Sequence, residues 1–394
     1  MLSGKRVMWL AGLAGCLSLW LTGIGVASGD RLTRPGAPSP LVIAVESPQS
    51  GGQASNGLDM LRGVRLAVDQ LNASGGLWDG RKVEIYKADD KGDAANAKSV
   101  ARAVIAKGIR FVIGPYNSSV GIANLSIYRR NRVLPLWMTS RDETGGVGAT
   151  VQPMNTQIAP VEERYVKSIG AKRVTMLVDD TPNGAFTKGM ANRLRAALEQ
   201  DGAVVTWISV QEVSGPNGAP AVPGDYYAGK VAEALATTPD LVYVSTYFPE
   251  GVQIAKALAA AGTTSTCLMG LANVDNGFVA QTSLAEAQRC VFSGVPAAGQ
   301  MPSAATYVRQ YRSAFTRLPG VWGSFTFDSA KILFAAINKA KSYDFAPVER
   351  ALRQTKGYVG ATGSITIDPR TGYRQTVPVS ILRVDASKKF VIAG

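Results

Sequence analysis

A polar cluster at residues 116–119 is the first place in this sequence where side chains could do chemistry. The stretch IRFVIGP is typical of a buried strand, Tyr116, Asn117, Ser118 and Ser119 follow it, and SVGIANLSIYRRN then has helical spacing. The start of a helix presents unpaired backbone N–H groups and a partial positive charge, so it binds anions. This point therefore favours an anion site, with plain helix capping by Asn117 or Ser118 as the alternative.

The residues that most enzymes use for acid, base or nucleophilic chemistry are scarce. The chain has no histidine, which excludes Ser-His-Asp triads, Cys-His dyads and histidine-bound zinc. The pairs Asp89–Asp90 and Asp179–Asp180 each follow a strand, where neighbouring side chains point to opposite faces and make poor acid/base pairs. The sequence also lacks a phosphate-binding Gly-Lys-Ser/Thr loop and a dinucleotide fingerprint. It therefore predicts a binding protein with no cofactor and no metal rather than an enzyme.

Length and charge narrow the class of protein further. A chain of 394 residues is too long for one ordinary core, so two domains are expected. The net charge is +13, but no long block of like charge and no basic stripe interleaved with aromatic residues is present. Nucleic-acid binding is therefore disfavoured, and the dispersed charge mildly favours anionic partners.

The N-terminal segment indicates export. Lys5 and Arg6 precede an apolar run that ends in small residues, which is the pattern of a secretory signal peptide over residues 1–27. Three fates stay open: cleavage near Ala27, cleavage at LAGC with a lipid on Cys16, or retention of the apolar run as a membrane anchor. All three place the folded part outside the cytoplasm, on the periplasmic or extracellular side of the membrane.

Two cysteines remain outside the leader, Cys267 and Cys290. Outside the cytoplasm a disulfide between them is chemically allowed, with two buried free thiols as the alternative. In the chain-entropy model a disulfide that closes a loop of this length stabilises a protein by about 3 kcal/mol.

Behind the leader, the chain alternates between strand and helix patterns. Residues 28–40 are rich in Pro, Gly and Ser and indicate a flexible spacer. One cycle of strands and helices runs from residue 41, and a second begins near residue 160. This alternation predicts an α/β protein with two similar lobes in tandem, each a parallel sheet with helices on both faces. Ligands of such sheets bind beyond the carboxyl ends of the strands, so two facing lobes predict a cleft.

In the order of its strands and helices, the chain resembles the type I periplasmic solute-binding proteins of the branched-chain amino acid, amide and urea uptake group. The resemblance covers about residues 41–385 and is carried by SGGQASNGLDMLRGVRLAVDQLNASGG, KADDKGDAANAKSVARAVIAKGIRFVIGPYNSS, LVYVSTYFPEGVQIAKALAAAG and GSITIDPRTG. It implies two Rossmann-like lobes joined by a three-crossover hinge, with lobe 1 from residues 41–155 with 296–360 and lobe 2 from residues 156–295 with 361–394. It also implies a monomer that performs no chemistry and delivers a small-molecule solute to the membrane permease of an ABC importer.

The resemblance assigns a ligand site to the first lobe. Ser118, with Ser119 beside it, matches the hydroxyl and helix start that hold the ligand's carboxylate, and Tyr116 is expected to wall the cleft. The end of the fourth strand offers Thr139 and Ser140 at small or polar positions and Arg141 where the family usually has a hydroxyl. An arginine there would bind an oxyanion through two parallel hydrogen bonds, with pairing to a nearby acid as the alternative.

In the second lobe the resemblance points to a site that departs from amino acid binding. Tyr247 matches a cleft tyrosine whose ring packs on the ligand. Asn183 stands where a second tyrosine is common, and Ala272 stands where amino acid binders place a glutamate against the ligand's ammonium. Asn273 is next to Ala272. Asp275 stays a candidate acid if the alignment of this loop with the family is shifted by a residue or two. A buried ammonium without a carboxylate partner is costly, so a neutral polar ligand or a carboxylate is favoured over a zwitterion.

Two alternatives stay open on the same resemblance. Trp322, which precedes a late helix, belongs either to the cleft wall or to the core. The fold also serves in ligand-sensing receptors, so the alternative function is a receptor component that presents its solute to a separate membrane signalling protein.

Overall fold

Two separate sheets organise the chain, as seen in a computed structural model that describes residues 38–213 and 221–393. The strands of the first sheet are β1 (Leu41–Ser47), β2 (Val83–Asp89), β3 (Phe111–Ile113), β4 (Leu134–Trp137) and β5 (Ala149–Thr150). They are all parallel, in the order β2-β1-β3-β4-β5. The apolar runs of β1, β3 and β4 are typical of parallel strands buried on both faces, whereas β2 at the edge of the sheet is partly exposed.

The second sheet has seven strands and takes its last two from the end of the chain. Its strands are β6 (Arg173–Asp179), β7 (Val204–Val210), β8 (Leu241–Ser245), β9 (Thr266–Met269) and β10 (Val291–Gly294), followed after the hairpin β11 (Tyr358–Gly360) and β12 (Gly363–Ile365) by β13 (Ser380–Val384) and β14 (Phe390–Ile392). The order is β14-β13-β10-β9-β8-β6-β7, and β13 runs antiparallel to both of its neighbours.

Helices cover both faces of the two sheets, which confirms the predicted α/β architecture of two lobes. Those of the first half are α1 (Ala54–Ala73), α2 (Ala94–Ala106), α3 (Ser118–Arg130), α4 (Asn155–Ser168), α5 (Ala185–Gln200) and α6 (Tyr226–Ala236). Those of the second half are α7 (Phe248–Ala260), α8 (Asn276–Gln281), α9 (Leu284–Ala287), α10 (Ala305–Phe315), α11 (Trp322–Ala340) and α12 (Phe345–Arg353).

A late segment of the chain completes the lobe built on the first sheet. Helix α11 packs along α1, and α10 contacts α1 as well. Buried Asp59 of α1 holds this packing, because its carboxylate accepts hydrogen bonds from Gly320 N, Gly323 N and the Tyr311 hydroxyl at 2.6–2.9 Å. The chain therefore passes between the lobes three times: from β5 to α4, from β10 to α10 and ahead of β13.

The last of these passages lies later than the predicted boundary at residue 361. The N–H of Ala361 donates to Asp328 of α11 at 2.8 Å. Tyr373 forms a parallel bridge with Thr150, at the end of β5. The chain thus stays with the first lobe until shortly before β13, and the segment 361–394 assigned to lobe 2 begins too early. Local patterns predict a strand there but do not say which sheet it joins.

Cys267 in β9 and Cys290, just before β10, form a disulfide between neighbouring parallel strands. The predicted signal peptide, Cys16 and most of the spacer lie outside the described residues. Within the described ranges, no helix combines the length and the apolar composition needed to cross a bilayer.

Candidate functional site

A narrow cavity of about 10 Å³ lies between the carboxyl ends of the two sheets. Its wall is formed by Tyr116, Ser118, Met138, Ser140, Gln152, Phe186, Tyr247, Leu271, Ala272 and Trp322. All of these residues except Trp322 follow the carboxyl end of a parallel strand, where the α/β fold is expected to bind ligands. Each is at most 7% exposed. This space is about that of one water molecule, so a ligand can enter only when the wall residues move apart.

The start of α3 forms one end of the cavity and is left uncapped. Asn117 has the extended backbone of an N-cap residue, but its side chain makes no capping hydrogen bond and instead donates to Gln53 at 3.1 Å. Ser118 Oγ accepts from the N–H of Ser140 at 3.4 Å, which leaves its own proton available. Ser119 Oγ is buried without a hydrogen-bond partner. The side chain of Asn117 therefore does not cap the helix, and the backbone donors at this helix start have no side-chain cap.

Four aromatic rings line the cavity across the junction of the lobes. The ring centroid of Tyr116 lies 5.6 Å from that of Trp322 and 6.4 Å from that of Tyr247. Phe186 lies 6.2 Å from Tyr247. Burial raises the pKa of both tyrosine hydroxyls well above the ordinary value, so they stay neutral. Trp322 lines the cavity and is also packed in the buried core, so it fills both of the roles that the sequence left open.

Gln152 Oε1 is buried in the wall without a hydrogen-bond partner among the described residues. The indole N–H of Trp322 lies within hydrogen-bonding reach of the Tyr116 hydroxyl, whose pKa it lowers against the larger effect of burial. The orientation of the Gln152 amide is fixed by its neighbours. Its Nε2 donates to Ser140 Oγ at 2.9 Å, and that hydroxyl in turn donates to the Pro153 carbonyl at 2.6 Å. Because this orientation lets Nε2 donate to Ser140 Oγ, Oε1 is the atom left over, a buried acceptor without a partner among the described residues.

In the part of the chain that the structure describes, the cavity wall contains no acidic or basic side chain. Ala272 lies in the wall at the position where a glutamate was considered. The candidate acid Asp275 is buried but occupied elsewhere, since it accepts from Ser55 Oγ at 2.8 Å and caps α8 at Gly277 N. Burial raises the pKa of Asp275 to about 6. A ligand ammonium in this cavity would find no carboxylate partner.

Two residues predicted at the end of the fourth strand lie outside the cavity wall. The guanidinium of Arg141 is held by the carboxylate of Glu143, two residues away, and donates to the Ala185 carbonyl at 2.7 Å. The hydrogen bond to Glu143 raises the Arg141 pKa. Thr139 Oγ1 lies 2.6 Å from Thr144 Oγ1. Arg141 thus makes the ion pair with an adjacent acid that the sequence left open as its alternative, and its ligand contact stays a prediction.

The two predicted asparagines also lie away from the wall. Asn183 sits on the rim, where its Oδ1 accepts from the backbone N–H of Ala94 in the opposite lobe at 3.0 Å. Asn273 is fully buried beneath the wall and donates to the Thr246 carbonyl at 2.9 Å. Of the eight predicted ligand residues, the structure brings Tyr116, Ser118 and Tyr247 together in the wall, with Ser119 directly behind Ser118.

Several wall residues escaped the sequence reasoning, namely Met138, Gln152, Phe186 and Leu271. Gln152 follows β5, which is too short to leave a periodic signal. The other three are apolar residues just after strands and resemble any core position. Their only common signal is that they lie beyond the carboxyl end of a strand.

Polar contacts between the lobes surround the cavity. Ser55 at the start of α1 reaches Asp275 in the second lobe. Asp142, after β4, pairs with Arg193 of α5. Together with the contact at Asn183, these interactions hold the two lobes against each other around the aromatic wall.

The sequence profile of the family described as periplasmic binding protein matches residues 40–389. The chain belongs to the periplasmic binding protein family. Among the relatives of this periplasmic binding protein is the Leu/Ile/Val-binding protein BraC3 of Rhizobium johnstonii, 28% identical over 367 residues that cover 90% of this chain and 94% of the relative. The Leu/Ile/Val-binding protein of Escherichia coli is 27% identical over 69% of this chain and 70% of its own length.

Solved structures show the same fold. The leucine-binding protein LivK of Thermotoga maritima superposes with a TM-score of 0.79 at 20% identity and covers 90% of this chain and 98% of its own. A solute-binding protein of an ABC transporter from Rhodopseudomonas palustris, solved in complex with 3,4-dihydroxybenzoic acid, superposes with a TM-score of 0.74 at 20% identity and covers 89% of this chain and 95% of its own.

Proposed function

We propose that this periplasmic binding protein is the solute receptor of an ABC importer and captures a small carboxylate that has no ammonium group. One observation carries the proposal: the uncapped start of α3 faces a buried cavity whose wall has no acidic side chain. The match to the family and the names of the relatives support the role of solute receptor. The cavity supports the ligand class.

The electrostatics of the cavity favour an anion over a zwitterion. Backbone N–H groups at the helix start, together with the hydroxyls of Ser118 and Ser119, supply hydrogen bonds to a carboxylate. Hydrogen bonds to a charged group contribute about 1.5–3 kcal/mol each. An ammonium beside Ala272 would instead lose its hydration without gaining a carboxylate. The relatives bear names of leucine, isoleucine and valine binders, and we infer that Ala272 separates this chain from that specificity.

Closure of the two lobes around the ligand is the proposed mode of capture. A ligand between Tyr116 and Tyr247 contacts both lobes at once, so it stabilises a closed form over an open one. The contacts at Ser55 and Asn183 would form only on closure. Small-angle X-ray scattering measures this directly: the radius of gyration should fall when the ligand is added, and an unchanged radius with a tightly bound ligand would contradict closure.

The proposed setting is the outer face of the cell membrane. The N-terminal pattern supports export, and Cys16 would carry a lipid if the lipobox is used. The closed protein would dock on the importer's permease and release its solute there.

A thermal-shift screen followed by calorimetry tests the ligand class. It should compare branched-chain amino acids, amides and urea, aliphatic and aromatic carboxylates, and polyols. We expect carboxylates to raise the melting temperature most. A preference for leucine-like zwitterions, or for neutral amides over every carboxylate, would refute the proposal.

A further inference from the structure

We propose that Asp275 makes the closure of the two lobes sensitive to pH, because closing buries its carboxyl group against lobe 1 without a basic partner. The inference rests on the proposed function in one respect, since it takes the lobes to open and close around the cleft. It adds the proton as a second effector of that closure and assigns the residue that binds it.

Asp275 belongs to lobe 2, but its carboxylate is enclosed by lobe 1. It follows β9 and begins α8, where its side chain caps Gly277 N. The same carboxylate accepts from Ser55 Oγ, at the start of α1, at 2.8 Å. Asp59 of α1 and the hydroxyl of Tyr116 also lie close enough to interact with it electrostatically. Asp275 is 4% exposed, so separation of the lobes would return its carboxylate to water.

The surrounding charges do not compensate the carboxylate of Asp275. Charged residues on the elements packed around it are Asp59, Arg62, Arg65 and Asp69 of α1, Glu250 and Lys256 of α7, Glu286 of α9, and Lys388 ahead of β14. Asp59 is the one whose charge acts on Asp275, and it repels. Among the described residues no basic side chain pairs with Asp275, and the ammonium of Lys388 instead donates to the Thr282 carbonyl at 2.5 Å. A carboxylate buried without a cation favours its protonated form.

The direction of the pH effect follows from the two environments of the carboxyl group. In the closed form, burial raises the pKa of Asp275 to about 6 against the opposing hydrogen bonds from Gly277 N and Ser55 Oγ, and Asp59 adds to the rise. In an open form the group is hydrated, and its pKa returns toward 3.8. The closed form therefore binds the proton more tightly. Its advantage is complete below pH 3.8 and is lost as the pH rises through 6.

Double electron–electron resonance on the ligand-free protein tests this switch. Spin labels are attached to Lys98→Cys in lobe 1 and Asp225→Cys in lobe 2, two exposed positions. Cys16→Ser and the native disulfide leave only the introduced thiols to react. We expect two distance populations, with the ratio of closed to open protein rising about tenfold from pH 8 to pH 5.

Two substitutions test the assigned residue. Asp275→Asn keeps an oxygen that can cap α8 but cannot ionise, so most of the pH dependence should disappear. Ser55→Ala removes the hydroxyl that stabilises the ionised carboxylate from the opposite lobe, so the closed population should fall at pH 8 and much less at pH 5. Asp344→Asn is the matched control, because Asp344 also precedes a helix but has a side chain that is 74% exposed. It should keep the full pH dependence.

The outcomes separate this inference from the proposed function. Two populations whose ratio does not change between pH 8 and pH 5 refute the switch but leave hinge closure standing. A full pH response in Asp275→Asn refutes the role of Asp275. A single distance at every pH refutes the switch and also contradicts closure, while the thermal-shift screen still decides the ligand class. If circular dichroism shows that Asp275→Asn does not fold, Ser55→Ala decides, since an equal loss of closed protein at both pH values would refute ionisation of Asp275 as the cause.

Discussion

The substitution Ala272→Glu should convert the site toward amino acid binding. Ala272 lies in the cavity wall and is 3% exposed, so a glutamate there places a carboxylate inside a cavity that has none. The new carboxylate can pair with a ligand ammonium. It also lies close enough to repel a ligand that carries only a carboxylate.

Both effects can be given a magnitude. A hydrogen bond between charged groups contributes about 1.5–3 kcal/mol, so leucine affinity should rise about ten- to a hundredfold. Two like charges about 4 Å apart repel by about 4 kcal/mol at an effective dielectric constant of 20, so a simple carboxylate should be strongly disfavoured while the introduced glutamate is ionised.

The repulsion should depend on pH, because a buried glutamate takes up a proton readily. Burial raises the pKa of nearby Asp275 to about 6, and we expect a glutamate at position 272 to respond in the same direction. At pH 8 the variant is ionised and rejects a simple carboxylate. As the pH falls toward 5 it becomes protonated, the repulsion disappears, and affinity for the carboxylate should recover.

Calorimetry with leucine and benzoate at pH 8 and pH 5 is the assay. Ala272→Gln is the control, since glutamine fills the same space without the charge. If Ala272→Glu and Ala272→Gln bind leucine equally well, or if the wild type already binds leucine as tightly as Ala272→Glu, the reasoning from the missing carboxylate is wrong.

Three further predictions follow from the site and the core. Ser118→Ala should weaken binding of the carboxylate about ten- to a hundredfold by calorimetry, the usual loss for a hydrogen bond to a charged group, whereas Ser126→Ala on the exposed side of α3 should leave it unchanged. Burial raises the pKa of Glu162 to about 7 from 4.5, so the stability this group contributes is complete below pH 4.5 and is lost as the pH rises to 7. The free energy of unfolding of Glu162→Gln, measured in urea, should therefore change less steeply than that of the wild type across that window, by up to about 1.4 kcal/mol per pH unit. Parallel pH profiles of the two proteins would contradict a buried, protonated Glu162. Replacing Cys267 and Cys290 by alanine together should lower the free energy of unfolding by about 3 kcal/mol, and an unaltered denaturation midpoint would show that the disulfide adds no stability.

The sequence predicted most of the fold because its signals are local. Continuous apolar runs marked the parallel strands of both sheets, and apolar spacing of three and four marked the long helices. The sequence did not predict β5, α8 and α9, because elements this short contain too little of the apolar repeat to be recognised. The boundary at residue 361 was wrong because pairing of a strand with a distant sheet leaves no mark in the strand itself.

The candidate site was predicted in part. Tyr116, Ser118 and Tyr247 directly follow strand ends, where the backbone direction alone carries them into the cavity. Arg141 and Asn183 also lie near strand ends. Their side chains bond instead to groups outside the cavity wall, and no local pattern in the sequence indicates those partners. Glu143 captures the arginine, and a backbone N–H of the facing lobe captures the asparagine.

The sequence by itself determined the architecture of two α/β lobes, the helix start after β3 and the absence of histidine chemistry, since these depend on residue type and near-neighbour spacing. Tertiary structure alone decided which side chains share one cavity. Gln152 and Trp322 are 170 residues apart in sequence, and only the packing of α11 against α1 brings both into one cavity wall. Hydrogen-bond satisfaction is a property of the assembled surroundings, so a site defined by what is left unsatisfied exists only once the chain has folded.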